Sequence, residues 1–474
     1  MKAFMEKNKE YNGEVLSLGS EGEGVIKLEG ETAFVPFCLP GEKVSFKVLK
    51  AGGGVAYGKL TEVHTLSEHR AAPECPYFEK CGGCQLQHMD YATQLGFKRQ
   101  SVESCLKKLG GLKAEVAETV ASEKQYGYRN KLALPVGVDI DGENVVGFFA
   151  PRSHRIIPIN SCSLQSEWSN TLIAALKTFM KNEGLSGYDE GTQKGDIRHI
   201  VGREVSGKLV ITVVAAHDIP LAPFVEILDG HFRDYTLWLN INASRGNVIF
   251  GSGWRVEKGG GYYTDEAEGI TFQVGANTFL QVNDDVRSKL YGAVIKACAD
   301  EDAVAVDLYS GGGLLTAMLA KSCRAAYGVE IVPEAVACAD RLKEENGLGE
   351  RMFNYCGAVE KKIDEVFQKT AGYRRVIVCD PPRKGMERSV VNAVLRSGAD
   401  KVVLISCNPA TLARDLGLLC GSLKEEDGQI VKNPDYTGEA LHGYYEILSV
   451  TPYDMFPQTK HVETLVVLQR IQSK

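Results

Sequence analysis

Cys407 ends a short apolar run, Lys401-Val402-Val403-Leu404-Ile405-Ser406, that Asn408-Pro409 stops. The pattern predicts a buried strand running into a turn. In an open parallel α/β sheet, ligands and chemistry collect at the carboxyl ends of the strands. A cysteine there serves either as a nucleophile or as a small hydrophobe filling the sheet edge, since free cysteine is among the most buried residue types. Cys75, Cys81 and Cys84 form a second group, three thiols within ten residues, with Gly82-Gly83 letting the backbone fold back. Such a triplet suits a metal-binding knuckle, and zinc and iron–sulfur sites alike usually call for four thiolates. Cys162, polar-flanked and in a predicted loop after Pro158, is the best candidate for the fourth. The spacing does not separate zinc from a cluster. It does differ from the C-x3-C-x2-C triplet of radical enzymes that leave one iron open, so closed structural coordination is expected of a cluster here.

A third constellation lies between these two kinds of chemistry. Val304-Ala305-Val306-Asp307-Leu308-Tyr309 reads as a strand entering the turn Ser310-Gly311-Gly312-Gly313, and a helix follows. The next strand, Ala325 to Val329, ends at Glu330, whose carboxylate can accept hydrogen bonds from both hydroxyls of a ribose. This is a nucleotide-type crevice that fits NAD and S-adenosylmethionine alike. Two details lean away from NAD: the turn is not a spaced G-x-G-x-x-G, and Asp380-Pro381-Pro382 at a strand end is typical of methyltransferases. In amino-group methyltransferases an aromatic residue completes that run. Here it is Arg383, which disfavours an exocyclic amine as the methyl acceptor.

These groups need a multidomain chain to position them. Short alternating segments from about 12 to 66, punctuated by glycines and Pro40-Gly41, predict a small OB-like β-barrel, a type that often binds oligonucleotides. Residues 67–110 hold the cysteine triplet and a helix predicted over about 85–109, with Lys98, Arg99, Lys107 and Lys108 supplying positive charge. Strands dominate 111–275, interrupted by one helix near Trp168 to Asn182. Tyr128-Arg129-Asn130-Lys131 and Pro151-Arg152-Ser153-His154-Arg155 are basic clusters expected on loops, phosphate contacts only if an anionic partner exists. From 276 to 474 helices and strands alternate, the pattern of a Rossmann-like parallel α/β sheet.

Bulk properties constrain the partners. The 474-residue chain has a net charge of -7, which argues against a globally basic nucleic-acid binder and leaves only local basic surfaces. Met1 to Tyr11 is charged and lacks the apolar core of a signal peptide, and no apolar stretch reaches transmembrane length. The 13 cysteines then point to a reducing interior, so a cytoplasmic, membrane-free monomer is expected.

Three runs occur together and in order: Asp380-Pro381-Pro382-Arg383-Lys384-Gly385, Ser406-Cys407-Asn408-Pro409-Ala410-Thr411-Leu412-Ala413-Arg414-Asp415, and Asp454-Met455-Phe456-Pro457-Gln458-Thr459-Lys460-His461-Val462-Glu463. They resemble the RNA uracil-5 methyltransferase family, which makes 5-methyluridine in 23S rRNA and in the tRNA T-loop. The resemblance extends through Phe279-Leu280-Gln281-Val282-Asn283 and Asp307-Leu308-Tyr309, and covers nearly the whole chain. It implies a C-terminal S-adenosylmethionine-dependent methyltransferase domain and an N-terminal TRAM domain. It also implies a 4Fe-4S site on Cys75, Cys81, Cys84 and Cys162, with zinc the lesser alternative. By the same resemblance Cys407 is the nucleophile and Glu463 the base. Gln281, Tyr309 and Glu330 contact the cofactor, and Asp380 meets the uracil edge or the cofactor. His461 is left structural. Of the RNAs, 23S rRNA is expected first and tRNA second; a different class of reading is a non-catalytic RNA-binding iron–sulfur protein. The chain departs from the family pattern at Ser310, where Cys is usual, and at Ala358, where an acid is frequent. A charged insertion over about 421–440 is expected to be an exposed loop.

Overall fold

The computed structural model describes residues 4–439 and 441–471. At the N-terminal end, glycine-punctuated segments put apolar side chains on one face and curl closed. The strands are β1 (Glu10–Leu18), β2 (Gly24–Leu28), β3 (Glu31–Val35), β4 (Lys43–Gly52) and β5 (Val55–Thr65), in the order β1-β2-β3-β5-β4 with β4 pairing back onto β1. Val15, Ile26, Val35, Val44, Phe46 and Val48 fill the interior. Closure removes the sheet edges that a five-stranded ribbon would otherwise expose.

The helix predicted from about 85 starts later, as α1 (Tyr91–Lys108). Asp90 sets that start: its side chain accepts from the Thr93 amide at 2.7 Å. Residues 85–90 stay in turns, and the Gln85 and Leu86 amides donate to the carbonyl of Gln458 at 3.2 and 3.1 Å.

The central region forms a seven-stranded sheet, ordered β12-β11-β10-β9-β6-β7-β8. Its elements are β6 (Lys131–Val138), β7 (Asn144–Phe149), β8 (Ile156–Pro158), α2 (Trp168–Glu183), β9 (Ile197–Val205), β10 (Lys208–Ala215), α3 (Ala222–Asp229), β11 (Tyr235–Ile241) and β12 (Gly253–Lys258). Leu172, Leu176 and Phe179 of α2 pack with Phe224 of α3 onto Ile200, Ile211 and Leu237. The sequence signals α2 but not α3, whose eight residues are too short to display a helical period. A hairpin, β13 (Tyr262–Ala267) and β14 (Ile270–Gly275), buries Ile270, Phe272 and Val274 in the core of the C-terminal sheet.

That last sheet is ordered β17-β16-β15-β18-β19-β23-β22. Its elements are α4 (Asp284–Cys298), β15 (Asp300–Leu308), α5 (Leu314–Ser322), β16 (Cys323–Glu330), α6 (Pro333–Glu345), β17 (Met352–Cys356), α7 (Val359–Lys369), β18 (Arg374–Cys379), α8 (Arg388–Ser397), β19 (Lys401–Ser406), α9 (Pro409–Cys420), β20 (Leu423–Glu426), β21 (Gln429–Lys432), β22 (Tyr445–Tyr453) and β23 (Glu463–Arg470). Val304–Leu308, Val376–Cys379 and Val402–Ile405 are almost wholly apolar because helices cover both faces of the sheet. Six strands share one direction, and β23, between β19 and β22, alone runs antiparallel to its neighbours. The chain order reverses between β15 and β18, which opens a crevice at their carboxyl ends. The segment 421–440 is not the simple loop expected: β20 and β21 pair as a hairpin, while Ala440 lies outside the described residues. Among the described residues no helix is long and apolar enough to cross a membrane.

Candidate active site

Strand register gathers the predicted residues on one rim. Leu308 pairs with Val329 on one side and Cys379 on the other, so the next residues, Tyr309, Glu330 and Asp380, leave the sheet side by side. In β19 and β23, Ser406 pairs with Thr464 as the last pair of that antiparallel ladder, so Cys407 leaves β19 where Glu463 opens β23, near enough for the Glu463 charge to act on the thiol. Asn408 then caps α9, its side chain accepting from the Ala410 amide at 3.1 Å, so Cys407 sits just ahead of a helix N-terminus.

The glycine turn is built for close approach. Gly313 has φ +82°, and a Cβ there would lie 2.6 Å from the Ala339 Cβ. Glu330 holds the turn from beneath, accepting from the Gly311 amide at 3.0 Å through one oxygen and the Val332 amide at 2.8 Å through the other. Each oxygen keeps a lone pair for a further donor. Tyr309 adopts φ +70°, a left-handed conformation unusual for an aromatic residue, at the step from strand to turn. Gln281 is buried just ahead of α4, its carbonyl accepting from Asn130 at 3.1 Å; no hydrogen bond among the described residues joins its side chain to the rim. Two places away, Phe279 leaves 73% of its surface exposed.

Acids converge on this rim under burial. Asp307, buried beneath Tyr309, accepts from the Thr316 hydroxyl at 2.6 Å, and burial pushes its carboxyl up to about 7. Asp380 keeps some exposed surface yet is ringed by protein, and desolvation raises it to about 7 as well. Glu463 is only 4% exposed; burial first, then the neighbouring Asp380, push it well above the usual carboxylate range. A cysteine nucleophile calls for surroundings that favour its thiolate. In the protein alone they do not: burial, Glu463 and Asp380 raise the thiol, and Arg383 opposes them. Arg383 is held near by its own carbonyl, which accepts from Asn408 at 3.1 Å and Thr411 at 3.2 Å. It is the nearby cation that favours charge on both Cys407 and Glu463. His461 is pushed down to about 4 by burial and by Arg383, so it stands neutral.

The cysteines meet elsewhere. Cys75, Cys81, Cys84 and Cys162 line one small cavity with Phe78, Gln87 and Arg129. Burial and mutual charge push Cys84 up to about 12 and Cys162 up to about 11. The Gly83 amide donates to the Cys81 sulfur at 3.3 Å, and Gly82 donates to Phe149 at 3.1 Å, docking the triplet on the 148–154 loop. Among the described residues, however, no three His, Cys, Asp or Glu side chains converge tightly enough to hold a metal ion, so the expected metal site is brought together in part only.

Two basic groups also differ from expectation. Arg129 does not lie on a solvated loop: its Nε is buried without a hydrogen-bond partner, and its guanidinium reaches the Phe456 ring at 5.9 Å. Lys98 adds no surface charge, because it is wholly buried against Asp454. Arg152 and Arg155 are exposed as expected, on a loop beside a cavity of about 550 Å³ that Gly82 and Gly83 also line. Arg152 lies 5.8 Å from the Tyr57 ring of β5, joining that loop to the barrel.

Comparison with known proteins points to one family. A family model described as tRNA (Uracil-5-)-methyltransferase matches residues 264–426. An uncharacterized RNA methyltransferase of Clostridium tetani is 37% identical over 472 residues, covering 98% of this chain and 97% of that protein. One from Listeria innocua is 34% identical, with 98% and 99% covered. The crystal structure of Pyrococcus abyssi tRNA (uracil-54, C5)-methyltransferase in complex with S-adenosyl-L-homocysteine superposes with a TM-score of 0.74 at 25% identity, over 96% of this chain and 99% of that one.

Proposed function

The chain belongs to the RNA uracil-5 methyltransferase family, and from that premise we propose that it methylates carbon 5 of a specific uridine in 23S rRNA through a covalent adduct with Cys407. The observation that carries this reading is the meeting of Cys407 and Glu463 at the end of the β19–β23 ladder, beside the crevice of Tyr309, Glu330 and Asp380. Carbon 5 of uracil is a poor nucleophile. The Cys407 thiolate adds to carbon 6, which leaves an enolate and makes carbon 5 nucleophilic. S-adenosylmethionine, held by Gln281, Tyr309 and Glu330, supplies the sulfonium methyl group. Glu463 then removes the proton on carbon 5, and the electron pair expels Cys407 and restores the ring. A carboxylate whose affinity for protons is raised by burial is a stronger base for that step. Arg383 favours the ionised form of both Cys407 and Glu463 when each is needed. Asp380, raised to about 7, has a proton to donate to a uracil oxygen or an edge to offer its N–H.

The target uridine must leave its stack to reach the rim, and the bare Phe279 ring suits stacking on an extruded base. In this reading the barrel acts as a TRAM-like module, and Arg152 and Arg155 follow the phosphate backbone between barrel and central sheet. The four-cysteine cavity matches a 4Fe-4S cluster only in the kind of its donors, four thiols on one small cavity, of which burial raises Cys81, Cys84 and Cys162. Cys75, Cys81, Cys84 and Cys162 would hold it, and such a cluster would tie the knuckle to the loop of Cys162. All thirteen cysteines are free, in keeping with a reducing cytoplasm.

A second reading, the same chemistry on the tRNA T-loop, is favoured by the full-length likeness to the Pyrococcus abyssi tRNA enzyme. Mapping 5-methyluridine in total RNA from cells lacking the protein separates the two. Loss of a 23S position supports the first reading, loss of the T-loop position moves the function to tRNA, and an unchanged map overturns both.

A further inference from the structure

Glu463 is reached through the segment Asp454–Val462, which leaves β22 and turns back into β23. Little of that segment is held by its own sheet. Instead, one face of α1 grips it. Lys98 is wholly buried and donates to Asp454, itself wholly buried, and to the Phe456 carbonyl at 3.0 Å. One turn earlier on the same face, Gln94 gives its side-chain N–H to the Gln458 side chain at 2.9 Å and accepts from the Gln458 amide at 3.0 Å. Gln458 has φ +69°, a left-handed conformation that persists in a glutamine only where the surroundings over-determine it. The Gln458 carbonyl takes the Gln85 and Leu86 amides, and the Tyr128 hydroxyl donates to Pro457 at 3.1 Å.

We propose that Lys98, through its buried ion pair with Asp454, is a positioning residue for the Glu463 base. A buried ion pair is poor evidence for stability, since apolar residues of like volume often serve as well or better. What it supplies is direction: one ammonium fixes both a carboxylate and a carbonyl in a segment that has no regular structure of its own. Burial pulls the Lys98 ammonium down and Asp454 holds it up, so the pair keeps its charge only while both partners stay in place. The segment carries Glu463 but not Cys407, which enters from β19. Loss of the pair should therefore slow proton removal and leave thiolate addition and methyl uptake largely intact.

The inference rests on the covalent mechanism proposed above, and the test separates the two. Total RNA from cells lacking the protein, grown with or without 5-fluorouracil, serves as methyl acceptor with labelled S-adenosylmethionine. On fluorinated RNA, carbon 5 has no proton to lose, so the adduct forms and stays whether or not the base works. If the wild-type protein forms no denaturation-resistant adduct on that RNA, the proposed function fails, and this inference with it. If it does, Lys98→Met and the charge-neutral pair Lys98→Met/Asp454→Asn are compared with it. The expected result is near-normal adduct formation on fluorinated RNA, but adduct accumulation and roughly 10²-fold slower release on ordinary RNA. Normal release would overturn the role, as would equal loss on both RNAs or failure of both variants to fold, each of which assigns the pair to the fold alone.

Discussion

The rim of the C-terminal sheet and the cysteine cavity both collect groups whose hold on a proton burial strengthens. At the rim these are Asp307, Asp380, Glu463 and Cys407; in the cavity they include Cys81, Cys84 and Cys162. The two are assembled differently. Rim residues arrive by strand register, so one hydrogen-bonded ladder ends where Cys407 and Glu463 begin, with Arg383 near enough to act on both. Cavity residues arrive on turns, three from one stretch and Cys162 from a loop nearly eighty residues on, with few backbone bonds to set their spacing. A site set by register can be complete before its ligands come. A site set by loops depends on what fills it.

That contrast breaks most readily at Cys407, the proposed nucleophile. Cys407→Ala should lower methyl transfer by at least about 10³-fold while cofactor binding persists, measured by single-turnover labelling and calorimetry. Glu463→Gln should slow product release by roughly 10²–10⁴-fold and trap an RNA adduct visible on a denaturing gel; prompt release would remove Glu463 as the base. On the other side, replacing Cys75, Cys81 and Cys84 together by Ser should strip iron and sulfide from anaerobically purified protein in equal measure. It should lower the unfolding temperature while the rim still binds cofactor. Stoichiometric zinc in the wild-type protein would reject the cluster.

A smaller effect concerns the proton balance of the rim. Cys407 and Glu463 are both raised in the free protein, so the single-turnover rate should still be climbing with pH at neutrality. A plateau already reached at mildly acidic pH would contradict that balance. The smallest effect lies beneath the rim. Asp307 ionises near 4 in the unfolded chain but at about 7 in the folded one, so its burial costs nothing below the lower value and the full amount above the higher. Asp307→Asn should therefore gain stability relative to wild type as pH rises from 4 to 7, by roughly 2–4 kcal/mol, in chemical denaturation at several pH values. A difference independent of pH would mean that the carboxyl is not desolvated.

The same contrast governs what was legible in the sequence. The apolar runs before Tyr309, Asp380 and Cys407 and the cap at Asn408 betray the rim, because short-range pattern is what strands and caps consist of. The barrel is legible for the same reason. Lys98 misleads because a lysine on a helix ordinarily faces water; its partner Asp454 is 356 residues away and no local pattern announces it. Arg129 misleads likewise, entering the cysteine cavity instead of solvent. The upward shift of Cys407 has no local signal either, since it comes from burial and from Glu463 and Asp380, which arrive from β23 and from the end of β18. Local chemistry is written in the residues; the field they sit in is written by the fold.

The proposed bond between Cys407 and carbon 6 of a uridine can be read by digesting the denatured complex formed on 5-fluorouridine-containing RNA and weighing its peptides. A methylated fluorouridine nucleotide is expected on the peptide that contains Cys407 and on no other. Methylation proceeding at full rate with that peptide unmodified, or an adduct on a different cysteine, would contradict it.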